Sequence, residues 1–267
     1  MIEAKADLHL HSHCSDGLSS ISEIVTEAQK IGLNFLSITD HNVINGIPEL
    51  VAEVDRINQQ TGRSLIAVPG VEVTLKGNRK VSDIVVLKPG RPDKEFLNFL
   101  NYLCEMRRKL SLAEVITQAG SRNAFTIIVH PGFSPMLTSV GLSEIDELGK
   151  TLSPSLLKNV GVEIYNGSAR VYSLWNNIRE KAVRQVAQKY DLAMFSFSDA
   201  HLAQDIGVPC SILSVRSITP KGFAEAFEER KITTQKSPAI SPVGWVKLNW
   251  NLVKARKRFK KVYPERT

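Results

Sequence analysis

An α/β fold in one large domain is what this sequence predicts, and three observations carry the prediction. Short apolar runs alternate with segments of helical period from the first residues almost to the end, which argues for β/α units and a parallel sheet. With 267 residues, 43% of them hydrophobic and 23% charged, the chain can bury one sizeable core. No internal repeat or low-complexity linker divides it. The one boundary worth drawing separates a body over residues 1–240 from a basic extension over 241–267.

The apolar runs place strands at residues 6–10, 35–39, 65–73, 125–129, 160–165, 193–198 and 210–215. A helix is expected over 21–31, because Ser20 followed three residues later by Glu23 forms a capping-box pattern. The next spans 47–60, with Pro48 in its first turn, where a missing N–H costs nothing. Residues 80–87 read as an extra strand that forms a hairpin with the third, turning through Lys76, Gly77 and Asn78.

Charge and cysteine narrow the function classes. The net charge of +7 is not a property of the body: from Lys254 onward Lys254, Arg256, Lys257, Arg258, Lys260, Lys261 and Arg266 face Glu265 alone, so +6 resides in this tail. Trp245, Trp250, Phe259 and Tyr263 interleave with these cations, a pattern compatible with nucleic acid, an anionic membrane surface or docking on the body through Val246, Leu248, Trp250, Leu252 and Val253. Cys14, Cys104 and Cys210 form neither a CxxC pair nor a disulfide framework, and the opening MIEAKADLHLHSHC lacks the features of a secretory signal, so a cytoplasmic protein is expected. No stretch approaches the roughly 20 apolar residues of a membrane span.

The chemistry lies in the histidines. Of six, His9, His11, His41, His130 and His201 stand at or just beyond the end of an expected strand, in the segments DLHLHSHCSDG, ITDHN, IVHPG and FSDAH, with PGVE adding Glu72. Strand ends of a β/α barrel converge on one face, and alternation points His9 and His11 together. A lone histidine at a strand end is more often hydrogen-bonded than a ligand. Five beside several acids are hard to arrange for stability alone, because clustered charges cost folding energy unless a metal offsets it. Imidazole with carboxylate and no cysteine suits zinc, manganese or iron, and so many ligands imply two or three ions. His13 is the one histidine set apart, with a solvent-facing or substrate-side place expected.

In their order and spacing these segments resemble the polymerase and histidinol phosphatase (PHP) superfamily, whose motifs contain HxH, TDH, a histidine before proline, and DxH. The resemblance covers roughly residues 6–215. It implies a distorted, TIM-like barrel of seven β/α units with a metal cluster at the C-terminal face of the strands. It also implies that His9 and His11 with Glu72 and Asp199 form one site, that Glu72 bridges to a second with His130, and that Asp16, His41 and His201 form a third. Asp40 of the TDH motif would be a neighbouring acid orienting a ligand histidine. Asp83 stands where relatives place a further histidine, and as a ligand would give that site a more oxygen-rich shell.

The implied reaction is hydrolysis of a phosphomonoester by metal-bound hydroxide, with His201 or a bound water as general acid. No GxSxG, Walker or GxGxxG pattern argues for other chemistry. The stand-alone form suggests nucleotides, nucleoside bisphosphates or short oligonucleotide ends; histidinol phosphate, or a metal-binding regulatory module without catalysis, is the alternative. Arg107 after an expected helix, and Asn166 and Arg170 after the VEIYNGS strand, are candidates for a second phosphate, with Glu163 as a supporting acid.

Overall fold

The helix-start signals in the sequence are used as written. The Ser20 hydroxyl accepts the Glu23 N–H at 3.3 Å while the Glu23 carboxylate accepts the Ser20 N–H at 2.8 Å, and this reciprocal cap opens α1 (Ile21–Lys30). Pro48 lies in the first turn of α2 (Ile47–Thr61). The structure is a computed structural model and describes residues 1–76, 81–132, 139–168 and 173–236, together with Trp250, Val253, Lys254 and Lys257.

The described strands fall into two five-stranded sheets. In the first, β1 (Ile2–Asp7), β2 (Phe35–Leu36) and β3 (Ile66–Ala67) run parallel, and β9 (Ser211–Val215) pairs antiparallel with β1 and with β10 (Ile232–Thr234). In the second, β4 (Gly70–Lys76) and β5 (Val81–Leu87) form the expected hairpin, whose turn lies outside the described residues. There β5 pairs antiparallel with β6 (Phe125–Ile128), while β7 (Val160–Asn166) and β8 (Ala193–Phe197) continue in parallel. The sheets are therefore mixed, because β5 and β9 each return against their neighbours. The single strand expected over 65–73 is broken at Pro69, which cannot donate to a ladder, so β3 ends and β4 starts in a different sheet.

Three apolar clusters organise the packing. The first lies between the sheets and draws Ala4, Ala6, Phe35, Val85, Ile127, Phe195 and Leu213 from both. Another packs α3 (Lys94–Glu105), α4 (Leu112–Gly120), α5 (Leu142–Thr151) and α7 (Ser173–Lys189) on the outside of the second sheet. The last packs α1 and α2 beside β2. The short α6 (Pro154–Leu157) leads into β7, and α8 (Pro220–Glu228) places Phe223 and Phe227 against Phe35 and Phe125, the first residues of β2 and β6. That helix therefore covers the N-terminal ends of these strands and leaves their C-terminal ends for polar residues.

Trp250 and Val253, which docking on the body would bury, are 63% and 47% exposed. The Lys254 ammonium lies 5.5 Å over the Trp250 ring, a cation–π contact that needs no partner on the body. Trp245, Phe259 and Tyr263 lie outside the described residues. Cys104 and Cys210 are buried and Cys14 is half-buried, all three as free thiols. Among the described residues no helix is long and apolar enough to cross a membrane.

Phe227 is fully buried, with ring centroids 4.4 Å from Phe125 and 5.1 Å from Phe195. Phe227→Ala is expected to lower stability by about 3–5 kcal/mol through lost transfer energy and a cavity. Urea denaturation checks this: the midpoint should fall while the slope is kept.

Candidate metal centre

Both seams between the sheets fall at the predicted ligands. Three residues beyond β1, Leu10 bridges in parallel to Ala200 beyond β8. The Asp199 N–H donates to the His9 carbonyl at 2.8 Å and the His11 N–H to the Ala200 carbonyl at 2.9 Å. At the other seam His41 bridges to Glu72 in β4, and the Asn42 N–H donates to the Glu72 carbonyl at 2.8 Å. Backbone pairing thus brings the HxH, TDH, GxE and DxH segments to one place.

Three residues at the strand ends take left-handed backbone: Asn42 (φ 52°), His130 (φ 34°) and Asp199 (φ 49°). Asparagine accepts this readily, whereas histidine and aspartate need support from their surroundings. His130 receives it from Glu163, whose Oε2 accepts the His130 N–H at 2.6 Å. The Asp199 carbonyl accepts the Ser168 hydroxyl at 2.7 Å and lies 3.0 Å from His201 Nδ1. Gly17, which follows Asp16, is required for close approach: a Cβ there would lie 2.3 Å from the His11 carbonyl oxygen.

The side chains form three interlocking groups, each with potential ligand atoms within 4.8 Å of one another: His11, Asp16, His41 and His201; His9, His11 and Asp199; and His9, Glu72 and His130. Glu72 is the hub. Its Oε2 lies 3.4 Å from His9 Nε2, 3.4 Å from His11 Nε2 and 3.0 Å from His41 Nδ1, and its Oε1 lies 3.2 Å from His130 Nε2. His11 Nε2 is 3.1 Å from Asp199 Oδ1, and His201 Nε2 is 3.3 Å from Asp16 Oδ2. The resemblance divided these ligands slightly differently: here His9 and His11 each belong to two groups.

Burial disfavours every charge in this cluster, and opposite charges decide the balance. The carboxylates of Asp199, Glu72 and Glu163 outweigh burial and hold His9 well above the usual histidine range. Burial is likewise outweighed at His41, raised well above it by Glu72 and Asp16, and at His201, raised by Asp16. His11 goes down, through burial and the neighbouring imidazoles of His41 and His201. Despite burial, the imidazoles hold Glu72, Asp16 and Asp199 below the usual carboxylate range.

The donor set fits divalent ions. His9 Nε2, His11 Nδ1, Asp16 Oδ1, Glu72 Oε2 and His130 Nδ1 are buried atoms without a hydrogen-bond partner, which is unusual for so many groups in one region. Glu163 Oε1, 3.3 Å from His9 Nδ1, orients the ring so that Nε2 faces the group.

A family model described as the PHP domain matches residues 7–201, more than half of the sequence. The chain belongs to the PHP family. A second model, described as PHP-associated, matches residues 178–232. Over 123 residues the chain is 32% identical to a 5'-3' exoribonuclease of Haemophilus influenzae, covering 45% of this chain and 43% of that protein. Over 84 residues it is 33% identical to a 3',5'-nucleoside bisphosphate phosphatase of Chromobacterium violaceum, covering 32% of this chain and 27% of that protein. The chain thus spans less than half the length of the curated relatives it matches. A two-domain protein of Bacteroides vulgatus containing a predicted PHP-like metal-dependent phosphoesterase shares the fold, with a TM-score of 0.61 and 19% identity over 93% of this chain and 69% of that one. These PHP relatives are named for hydrolysis of phosphate esters.

The other expected residues of the PHP site are placed more variously. Asp83 is buried on β5 opposite Thr74 and lies outside the three groups; burial pushes its carboxyl up to about 7, and the charge of Glu72 adds to this. Asp40 does not orient a histidine. Its carboxylate accepts the Ser12 N–H at 2.8 Å, the Ser12 hydroxyl at 2.6 Å and the Ser15 hydroxyl, and so shapes the loop that delivers Asp16. Asn166, expected to face substrate, directs its amide to both Glu163 oxygens, at 3.2 and 3.0 Å, and to Asp199 Oδ2 at 3.2 Å, because three carboxylate oxygens surround it. Arg107 is half-buried in the turn after α3, where the Arg108 N–H donates to the Thr74 carbonyl at 2.8 Å, two residues beyond Glu72. Arg170 lies outside the described residues, and His13 is half-buried and belongs to none of the three groups.

Three residues of the site were not singled out from sequence. Asn42 donates to Thr74 Oγ1 at 3.1 Å and accepts the Thr74 N–H at 3.0 Å, clasping the TDHN loop to β4. Asp7 accepts the N–H groups of Ser198 at 3.1 Å and Gly207 at 2.8 Å, with burial pushing its carboxyl up to about 6. Arg179 donates to two backbone carbonyls beside the site. Only Asn42 and Asp7 carried a signal, by adjoining the TDH and HxH motifs.

Proposed function

We propose that this chain is a metal-dependent phosphoesterase that hydrolyses a phosphomonoester: a nucleotide, a nucleoside bisphosphate or the end of a short oligonucleotide. The observation that carries the reading is the set of buried imidazole and carboxylate atoms without hydrogen-bond partners, gathered around Glu72. The substrate class draws on the exoribonuclease and the bisphosphate phosphatase among the relatives. We read the two sheets, bridged at Leu10–Ala200 and His41–Glu72, as the distorted TIM-like barrel of the family.

In this reading His9, His11, Glu72, His130, Asp199, Asp16, His41 and His201 hold two or three divalent ions, manganese, zinc or iron. Ions bound there would neutralise phosphate oxygens and ease deprotonation of the attacking water. The chain's own part is to fix the donors. Glu163 holds the His9 ring and the His130 backbone, and Asp40 holds the loop carrying Asp16. The His201 Nδ1–H is committed to the Asp199 carbonyl, so its Nε2 either ligates beside Asp16 or gives a proton to the leaving oxygen, but not both at once. Arg107 is carried into this reading as a candidate to meet a second phosphate.

Exhaustive chelation is expected to abolish phosphate release from a nucleotide panel, and added manganese or zinc to restore it. Glu72→Gln should lower turnover at least about 100-fold, beyond the usual effect of altering a residue that merely supports a ligand. Full turnover after chelation, or a Glu72→Gln protein with native turnover and metal content, would refute this reading.

Asp83 is proposed as an additional ligand on the side of Glu72 and His130. Asp83→Ala should weaken one metal equivalent and Asp83→His retain it, as elemental analysis after gel filtration will show. Unchanged stoichiometry in both variants removes Asp83 from the ligand set.

The basic extension over 241–267 is proposed to recruit polyanionic substrate. Deleting residues 254–267 should raise KM for an oligonucleotide and flatten its salt dependence, leaving a mononucleotide unaffected. Equal effects on both substrates would exclude electrostatic recruitment.

A further inference from the structure

We propose that Arg179 is a positioning residue that fixes the His130 ligand group from behind. The inference rests on the reading of His9, Glu72 and His130 as metal ligands. Arg179 belongs to α7, far in sequence from every histidine motif except the DxH segment, and is 6% exposed. Its guanidinium reaches between two strand ends: Nη1 donates to the Pro131 carbonyl at 3.1 Å and Nη2 to the Ile164 carbonyl at 3.1 Å.

Those two carbonyls belong to the residues following His130 and Glu163. The fork therefore grips the chain immediately after the ligand and immediately after the carboxylate that supports it. Glu163 closes the circuit by accepting the His130 N–H at 2.6 Å and facing His9 Nδ1 at 3.3 Å. It is fully buried, and the positive charge of Arg179 acts on it through the interior, where screening by water is weak.

His130 has reason to need this second hold. Its φ of 34° is unfavourable for a residue with a Cβ, so the turn relaxes unless its surroundings hold it. Relaxation would carry His130 Nε2 away from Glu72 Oε1, now 3.2 Å distant, and disturb one group while the Asp16 group, built on other loops, stays in place. A lysine at 179 keeps the charge but cannot span both carbonyls with a planar fork.

The test is competitive titration of apoprotein with manganese or zinc against a chromophoric chelator, with thermal unfolding measured in parallel. The wild type is compared with Arg179→Met, Arg179→Lys and His130→Ala, the last identifying which metal equivalent belongs to this group. Folded Arg179→Met is expected to bind that same equivalent about 10–100-fold more weakly while keeping the others, and Arg179→Lys to fall between it and the wild type. Wild-type affinity at every equivalent in folded Arg179→Met overturns the proposal, as does a uniform loss that tracks a lowered Tm. If Arg179→Met does not fold, Arg179→Lys decides by the same criteria. A wild type that binds no ion refutes the proposed function itself, a result distinct from an intact wild type with an indifferent Arg179→Met.

Discussion

One fully buried carboxylate, Glu72, faces four imidazoles, and much of the active end of the molecule is arranged around that fact. A charge so far from water is tolerable only where opposite charge or hydrogen bonds surround it. The histidines meet this need for Glu72, and Asp16, Asp199 and Glu163 meet it in turn for the histidines. Imidazoles and carboxylates alternate through the cluster, which is why His9 is held above, and Asp16 and Glu72 below, their ordinary ranges. No member can be altered in isolation, since removing one charge leaves its neighbour buried and uncompensated.

Such a cluster needs backbone that does not yield. The two sheets supply it by meeting at the proposed ligands: each seam is a short stretch of parallel pairing in which one of these residues takes part or lies next to a residue that does. At the opposite end, Phe223 and Phe227 fill the space between the first residues of β2 and β6, so the apolar core is complete without the strand C-termini. Stability and chemistry are thereby separated along the strands, and the polar end can carry unfavourable backbone at His130 and Asp199.

Around the proposed ligands lies a set of polar groups outside the three candidate clusters that hydrogen-bond to the ligand segments. Asp40 binds the Ser12–Ser15 loop, Asn42 binds β4, and Glu163 binds His9 and His130 together. The PHP-associated match begins at residue 178, one residue before Arg179, so the helix that backs the site belongs to both family descriptions.

Local signals sufficed for much of this. Capping and proline chemistry marked the starts of α1 and α2, the hairpin of β4 with a following strand was readable, and histidines recurring beside acids at strand ends pointed to both the family and the imidazole–carboxylate cluster. These features depend on residues close in sequence or on a motif order that survives without coordinates. Tertiary structure alone decided the antiparallel returns of β5 and β9, the break at Pro69, and the exposure of Trp250. It alone gave Asp40 and Asn166 their partners, because a carboxylate or amide takes whichever donor or acceptor lies within about 3 Å in space, whatever its separation along the chain. Arg179 is the clearest case: its partners are backbone carbonyls, which every residue carries, so no side chain in the sequence could announce them.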